Sequence, residues 1–526
     1  MPSDVSSDAP TQIDTLGALK EHGYRPRPVK DEMRANLIEK LQSGETIFPG
    51  VLGFDRTVLP QLQNAILGRH DVILLGLRGQ AKSRLLRMLP NLLDEYVPVV
   101  EGTETNDDPF APISKRGRRL ADEAGDEMPV EWLHRSDRYG EKLATPDTTI
   151  ADLIGDIDPI KAANERLTYA DEEVIHFGII PRTHRGIFAI NELPDLQPRI
   201  QVGLLNIMEE QDIQIRGFNI RFPLDVMMAF SANPEDYTSR GNLITPLKDR
   251  IDSQILTHYP KTVDVGIQIT EQEAWQERTS EEDGQAPGPD VHIPHYFREI
   301  VEQIAFEARD SEYVDQQSGV SVRVTRAAME DLISAAERRA LLNGEEETTV
   351  RIGDLMHTAP AITGKVELVY EGEEEGAENV AYTLVGRAVR AVFKKYFPDP
   401  ADKENGRPEY REVMNWFSSG NDLNLSQDLS FADYSSRLEA VGGLKDLTEK
   451  HTRPDGPVET ASTMEFVVEA LHQNSLVGKE IGDHASTYSD IMGSVLSSLS
   501  GDGGGPTGGG GDDDDDDLDD LRRRYG

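Results

Sequence analysis

The chain has 526 residues, with 95 acidic against 54 basic side chains and a formal net charge of −41 at pH 7. A charge of this sign opposes the binding of nucleic acid, whose phosphates are neutralised by Lys and Arg. The sequence contains no cysteine, which excludes disulfides, zinc–thiolate sites, iron–sulfur clusters and thiol nucleophiles.

No apolar run approaches the roughly 18 residues that a membrane-spanning helix needs. The first residues have neither the basic start nor the short apolar stretch of a secretory signal. We therefore expect a soluble, cytoplasmic protein that has no membrane partner.

The first half of the chain is predicted to form an α/β domain. Residues 1–20 are rich in Ser, Asp, Thr and Pro without periodicity, which predicts a flexible arm. From about residue 45 to 260 short apolar runs alternate with helical patterns, as is typical of a parallel sheet covered by helices. We place this domain at 21–278. The predicted strands are 72–75, 97–100, 186–190, 226–232 and 254–259.

The second half is predicted to be helical. A Gly-, Pro- and acid-rich segment at 279–291 is typical of an exposed connection between domains. An apolar stripe then predicts a helix from about 325 to 342. The stripe consists of Met329, Leu332, Ile333, Ala336 and Ala340. We predict a helical domain at 292–398, a helical extension at 399–500 and a disordered Gly- and Asp-rich tail at 501–526.

A phosphate-binding loop is predicted between the strand 72–75 and the helical pattern that follows it. Glycines let backbone N–H groups curl around phosphates, a Lys reaches the terminal phosphates, and a Ser can ligate Mg²⁺. An ordinary strand-to-helix turn is the alternative, and Ala81 stands where such loops usually have Gly. The predicted nucleotide-binding residues are Gly76, Gly79, Gln80, Ala81, Lys82 and Ser83.

Two further strands end in polar side chains. The strand 186–190 is followed by Asn191 and Glu192, of which Glu192 is predicted to polarise the attacking water and Asn191 to contact the Mg²⁺ shell. An amide brings no charge to the metal, and a buried strand with a polar end is the alternative. Asn233, after the strand 226–232, is predicted to orient water against the γ-phosphate.

Two arginines are candidate contacts to nucleotide. Arg250 is predicted to be an arginine finger that completes the site of a neighbouring subunit. A solvated surface arginine is the alternative. Arg323 precedes the helix at 325–342, where it can touch the nucleotide and report its state. Arg326, one turn further on, is a rival for that role.

The order of these motifs resembles the AAA+ ATPases of the branch that contains the magnesium-chelatase ATPase subunit and MoxR. The resemblance covers about residues 40 to 360. The resembling segments are 48–53, 144–147, 177–181, 185–188, 191–193, 220–223, 233–235 and 249–250.

The resemblance implies an AAA+ P-loop core followed by an all-helical lid at 292–398, with ATP and Mg²⁺ as cofactors. It implies a β-hairpin at 213–220 that projects into a ring pore. It also implies self-assembly into a ring, commonly a hexamer, and a partner protein that carries a von Willebrand factor A domain.

Three hypotheses follow. In the first, the protein is an ATP-hydrolysing motor that remodels or activates a partner protein. In the second it is a nucleotide-dependent scaffold or switch with little turnover, because Asn191 and Ala81 depart from the usual motifs. The third, a helicase-type motor on nucleic acid, is disfavoured by the net charge of −41.

Overall fold

The structure, a computed structural model, describes residues 13–158, 160, 172–210, 212–214, 221–238, 243–278, 288–482 and 485–491. The chain divides into two compact units, Met1–Tyr259 and Pro260–Gly526. No helix within these described ranges is both long and apolar enough to cross a membrane.

The first unit is an α/β unit. Its described strands in chain order are β1 (Val72–Leu75), β2 (Tyr96–Val100), β3 (Val130–His134), β4 (Tyr139–Leu143), β5 (Gly155–Ile157), β6 (Ile175–Phe177), β7 (Gly186–Asn191), β8 (Asp212–Gln214), β9 (Arg221–Pro223), β10 (Val226–Ala232) and β11 (Ser253–Leu256). Its described helices are Leu16–Glu21, Val29–Ser43, Val58–Leu67, Lys82–Met88, Lys115–Ala124, Ile150–Leu153, Ile179–Arg182, Pro198–Glu210, Pro234–Thr238 and Thr245–Arg250.

Five parallel strands form the central sheet, in the order β11-β1-β10-β7-β4. The strand β1 lies between β10 and β11, so the loop that follows it opens at an interior strand of the sheet. In open α/β sheets, ligands bind at the carboxyl ends of the strands, where this loop lies. The predicted parallel sheet covered by helices is therefore confirmed.

Successive side chains of a strand point to opposite faces of the sheet, and each face packs into its own hydrophobic core. On β1, Val72 and Leu74 pack into one core, while Ile73 and Leu75 pack into the other. All four are buried, because a parallel strand between helical layers has two covered faces. The first core also holds Leu85 and other residues of the helix Lys82–Met88. That helix is thereby fixed against one face of the sheet.

One of the five predicted sheet strands is wrong. Residues 97–100 do form a strand, but β2 pairs antiparallel with β3, outside the central sheet. The fifth strand of the sheet is β4, which the sequence analysis missed. Its sequence is Tyr-Gly-Glu-Lys-Leu, and it lies at the edge of the sheet, where Leu143 is 56% exposed. An edge strand with one covered side lacks the continuous apolar run by which buried strands are found.

The ends of several predicted segments are now defined. Residues 16–21 form a short helix with Leu16 and Leu19 buried, where the sequence predicts a flexible arm to residue 20. The predicted hairpin at 213–220 has an antiparallel base, in which Ile213 pairs with Phe222. Its tip, residues 215–220, lies outside the described residues, as do residues 1–12 of the arm.

The second unit is mostly helical. Its described helices are Val263–Glu273, His295–Asp310, Arg323–Asn343, Ala359–Thr363, Tyr370–Glu375, Ala377–Tyr396, Arg411–Ser418, Phe431–Glu439, Leu444–His451 and Gly456–Gln473. Its described strands are β12 (Asp290–His292), β13 (Glu347–Thr349), β14 (Leu423–Ser426), β15 (Gly478–Ile481) and β16 (Ala485–Ser489). The last three form an antiparallel sheet in the order β14-β16-β15.

The helix predicted at 325–342 is confirmed as Arg323–Asn343, and all five residues of its predicted apolar stripe are buried. One hydrophobic core runs from Tyr296 to Tyr488, so the segments predicted as lid and extension share it. Residues 279–287 of the predicted connection and the tail at 501–526 lie outside the described residues.

A buried ion pair in this unit makes its stability depend on pH. The Glu469 carboxylate accepts from Lys479 Nζ at 2.8 Å and from the Tyr488 hydroxyl at 2.6 Å. Burial raises the pKa of Glu469, but Lys479, His472 and these hydrogen bonds outweigh it and bring the pKa to about 2. The folded pKa thus lies below the unfolded value of about 4.3. Stability from Glu469 is therefore present above that value and is lost as the pH falls toward 2.

We expect Glu469→Gln to remove this acid dependence. Between pH 7 and pH 3.5 the wild type should lose about 1 kcal/mol more unfolding free energy than the variant. Urea unfolding of the full chain, followed at both pH values, measures the difference. An equal loss in both proteins would contradict the lowered pKa.

Candidate nucleotide-binding site

The loop between β1 and the helix Lys82–Met88 has the backbone of a phosphate-binding turn. Gly79 and Ala81 have φ angles of 77° and 55°, both in the left-handed region. Turns that alternate right- and left-handed residues direct successive N–H groups into one concave site for anions. For Ala81 this conformation costs about 1 kcal/mol, which a glycine would not incur. The loop therefore adopts the expected shape in spite of the alanine.

Side chains under the loop fix its position. Gln80 is buried, and its Oε1 accepts from Leu77 N at 3.1 Å and from Thr257 Oγ1 at 2.8 Å. A Cβ atom on Gly76 would lie 1.8 Å from Thr257 Oγ1, so a glycine is required there. Thr257 follows β11 directly and was not predicted as a site residue, because a lone Thr after a strand has no recognisable signature.

The Lys82 side chain is buried inside the loop. Its Nζ donates to the carbonyl oxygens of Gly76 and Leu77 and to Oδ1 of Asn233. The distance from Nζ is 3.2 Å to the Leu77 oxygen and 3.3 Å to Asn233 Oδ1. Burial lowers the pKa of Lys82, and the nearby carboxylate of Glu192 opposes that shift. The loop lysine and the amide at the end of β10 are thus brought together.

The end of β7 is joined to the loop through Ser83. Asn191 Oδ1 accepts from Ser83 Oγ at 3.1 Å and from Ser231 Oγ at 3.0 Å. The next residue, Glu192, is half-buried and has a left-handed φ of 53°. Non-glycine residues in this conformation concentrate at functional sites.

Burial is the main reason that the pKa of the Glu192 carboxyl lies above its usual value. The Lys82 ammonium opposes this shift, while the carboxylates of Asp195 and Asp236 reinforce it. A raised pKa makes the carboxylate a stronger base.

A further side chain at this site was missed with its strand. Glu141 of β4 accepts from Asn191 Nδ2 at 2.5 Å. It also forms a two-bond ion pair with Arg87, at 2.8 and 3.0 Å. Its position just before the segment 144–147, which carries part of the family resemblance, was the one signal available in the sequence.

Each of the two predicted arginines lies at one end of a helix. Arg250 ends the helix Thr245–Arg250, where its guanidinium pairs with Glu209 at 2.8 Å and Asp249 at 3.2 Å. Arg323 begins a helix of the second unit and is exposed, and its rival Arg326 pairs with Glu330. The roles assigned to these residues remain predictions.

No protein-family model matches the chain. In sequence it is 28% identical over 230 residues to the magnesium-chelatase subunit ChlI of Nostoc sp., which covers 43% of this chain and 58% of that protein. It is 25% identical over 253 residues to the magnesium-chelatase 38 kDa subunit of Cereibacter sphaeroides, covering 46% and 70%. The chain thus spans little more than half the length of the first of these relatives.

A cryo-EM-based structure of the complex between magnesium-chelatase subunits BchI and BchD aligns with 62% of this chain and 98% of that one. The TM-score is 0.32 and the identity 18%, a likeness too weak to support a functional argument. The sequence relatives confirm the predicted resemblance to magnesium-chelatase subunits. With the parallel sheet and the loop after its strand β1, they agree with the predicted AAA+ fold class.

Proposed function

From this relation to magnesium-chelatase subunits, we propose that the chain is an ATP-hydrolysing AAA+ motor that assembles into a ring and remodels a partner protein. The observation that carries the proposal is the convergence of Lys82, Asn233 and Glu192. They lie at the carboxyl ends of β1, β10 and β7, which are adjacent strands of one sheet. Such an arrangement positions a phosphate-binding cation beside a water-orienting amide and a base.

Each side chain then has one part in hydrolysis. The loop N–H groups and Lys82 bind the phosphates, for which Lys82 exchanges its present carbonyl partners. Asn233 orients the attacking water, and Glu192 takes its proton as the water attacks the γ-phosphate. The raised pKa of Glu192 favours that proton transfer, and the Lys82 charge keeps the carboxylate ionised beforehand.

The residues at the loop suit Mg²⁺ as the nucleotide's counter-ion. Ser83 and Asn191 offer a hydroxyl and an amide oxygen, which are hard oxygen donors of the kind that Mg²⁺ takes together with phosphates and water. Bound there, Mg²⁺ neutralises charge that develops on the phosphates. Among the described residues no three His, Asp or Glu side chains form a dedicated metal cluster.

In the proposed ring, Arg250 completes the nucleotide site of a neighbouring subunit. Its partners, Glu209 and Asp249, are exposed carboxylates that it can exchange for a neighbour's γ-phosphate. The relatives are themselves named as subunits, which supports assembly into a larger complex, and we propose that this complex contains a ring of copies of the chain, commonly six. We propose that the partner is a protein with a von Willebrand factor A domain. Arg323 is the proposed sensor of nucleotide. The proposed location of the protein is the cytoplasm.

A nucleotide-dependent scaffold is the second candidate. Asn191 favours it, since an amide at the end of β7 brings no charge to the cation and can slow turnover. Binding without hydrolysis would distinguish this candidate from the motor.

Lys82→Ala tests the nucleotide site itself. We expect ATP affinity to fall at least about 10- to 100-fold, because a charge-assisted contact to phosphate is lost. Binding of a fluorescent ATP analogue to the full chain measures the effect. Lys40→Ala is a matched control, since Lys40 pairs with the exposed Glu45 in the same unit. Wild-type affinity in a folded Lys82→Ala protein would remove this loop from the nucleotide site.

A further inference from the structure

We infer that Glu141 supplies the negative charge that Asn191 cannot bring to the Mg²⁺ bound with nucleotide, and that it holds the Asn191 amide in the required orientation. This inference rests on the proposed nucleotide site. It assigns to β4, the edge strand, the carboxylate that is absent at Asn191.

The four side chains involved meet on one face of the sheet. Glu141 is in register with Ala189, two residues before Asn191 on the neighbouring strand. Alternate residues of a strand share a face, and the small Ala189 side chain leaves room for Glu141 to reach the strand end. On the facing helix, Ser83 and Arg87 are four residues apart and so lie on one side.

The hydrogen bonds determine which way the amide points. An amide has an acceptor oxygen and a donor NH₂, and a carboxylate only accepts. Because Glu141 takes a hydrogen bond from Asn191 Nδ2 at 2.5 Å, Oδ1 is directed to Ser83 Oγ at 3.1 Å. An oxygen donor therefore faces the serine that would ligate the cation. Ser231 Oγ also donates to Oδ1, at 3.0 Å, but a serine hydroxyl can accept from NH₂ as well as donate to oxygen. Glu141 is therefore the contact that distinguishes the two ends of the amide and keeps the NH₂ away from the metal.

The carboxylate itself is held in place by Arg87. The bidentate pair fixes the plane of the Glu141 carboxylate. The Glu141 side chain is 21% exposed and that of Arg87 is 64% exposed. The arginine charge is thus largely screened by water, whereas the carboxylate lies closer to the site. Its field acts on a cation at Ser83 through the intervening amide.

The test is the Mg²⁺ dependence of binding for a fluorescent ADP analogue, which involves no hydrolysis. Glu141→Gln keeps a hydrogen-bond acceptor for Asn191 but removes the charge. We expect it to raise the Mg²⁺ concentration for half-maximal effect by about tenfold, while binding in EDTA stays as in the wild type. Glu141→Gln/Asn191→Asp moves the carboxylate to the end of β7 and should restore wild-type Mg²⁺ dependence.

Glu45→Gln is the matched control, because it removes an ion-paired carboxylate just after the helix Val29–Ser43. It should leave the Mg²⁺ dependence unchanged. Two results would overturn the inference: wild-type Mg²⁺ dependence in Glu141→Gln, or no restoration in the double variant while its EDTA binding is intact. If Lys82→Ala binds ADP as the wild type does, the proposed site itself is wrong, which separates the two failures.

Discussion

Glu192→Gln is expected to lower the steady-state ATPase rate by about 10²–10⁴-fold, the usual contribution of a general base. ATP should remain bound, because the variant changes none of the loop residues. Gln has nearly the size and shape of Glu, and the backbone turn at φ 53° is kept. The loss would therefore lie in proton transfer and not in the fold.

The measurement is the ATPase rate of the purified chain with Mg²⁺ over a series of protein concentrations, with bound nucleotide determined in parallel. Glu210→Gln serves as the control, since Glu210 is an exposed carboxylate at the end of the helix Pro198–Glu210. Wild-type turnover in Glu192→Gln would assign the base to another residue. Bound ATP without turnover in the wild type as well would favour the scaffold over the motor.

The wild-type rate also has an expected acidic limb. Glu192 accepts a proton only when ionised, so the rate should fall as the pH drops through its folded pKa. Burial together with Asp195 and Asp236 raises that pKa, so the limb should lie above the usual range of a glutamate.

The sequence predicted those parts of the site that lie on buried strands. The sequences of β1, β7 and β10 contain apolar runs because both faces of these strands are covered. The end of each strand could therefore be predicted from the sequence. Glu141 was missed because its strand is at an edge and has a polar sequence. Thr257 was missed because its role depends on the close approach of Gly76, which is a tertiary contact.

Domain organisation was harder to predict for a different reason. Periodicity identifies the apolar face of each helix, as it did for Arg323–Asn343, but it does not tell which helices share a core. The core from Tyr296 to Tyr488 joins the helix His295–Asp310 to the helix Gly456–Gln473, far apart in sequence. The two helices contact each other through stacked aromatic rings: Tyr296 of the first and Phe466 of the second have ring centroids 4.5 Å apart.

Arg250→Ala is expected to reduce ATP hydrolysis by about 10³-fold or more while ATP binding is kept, since an arginine finger acts on the transition state. In the isolated chain Arg250 pairs with Glu209 at 2.8 Å. A finger supplied in trans must exchange this partner on assembly. Arg27→Ala is the matched control, because Arg27 forms an ion pair of similar exposure with Asp94.

Mixing the two inactive variants separates a finger from a structural arginine. In a head-to-tail ring, an Arg250→Ala subunit has an intact Glu192 and can receive Arg250 from a Glu192→Gln neighbour. An equal mixture should therefore regain activity, up to about a quarter of the wild-type sites if assembly is random. A structural defect would not be repaired in this way. Mixed rings that stay inactive, or full turnover of Arg250→Ala alone in an assembled ring, would remove Arg250 from the site.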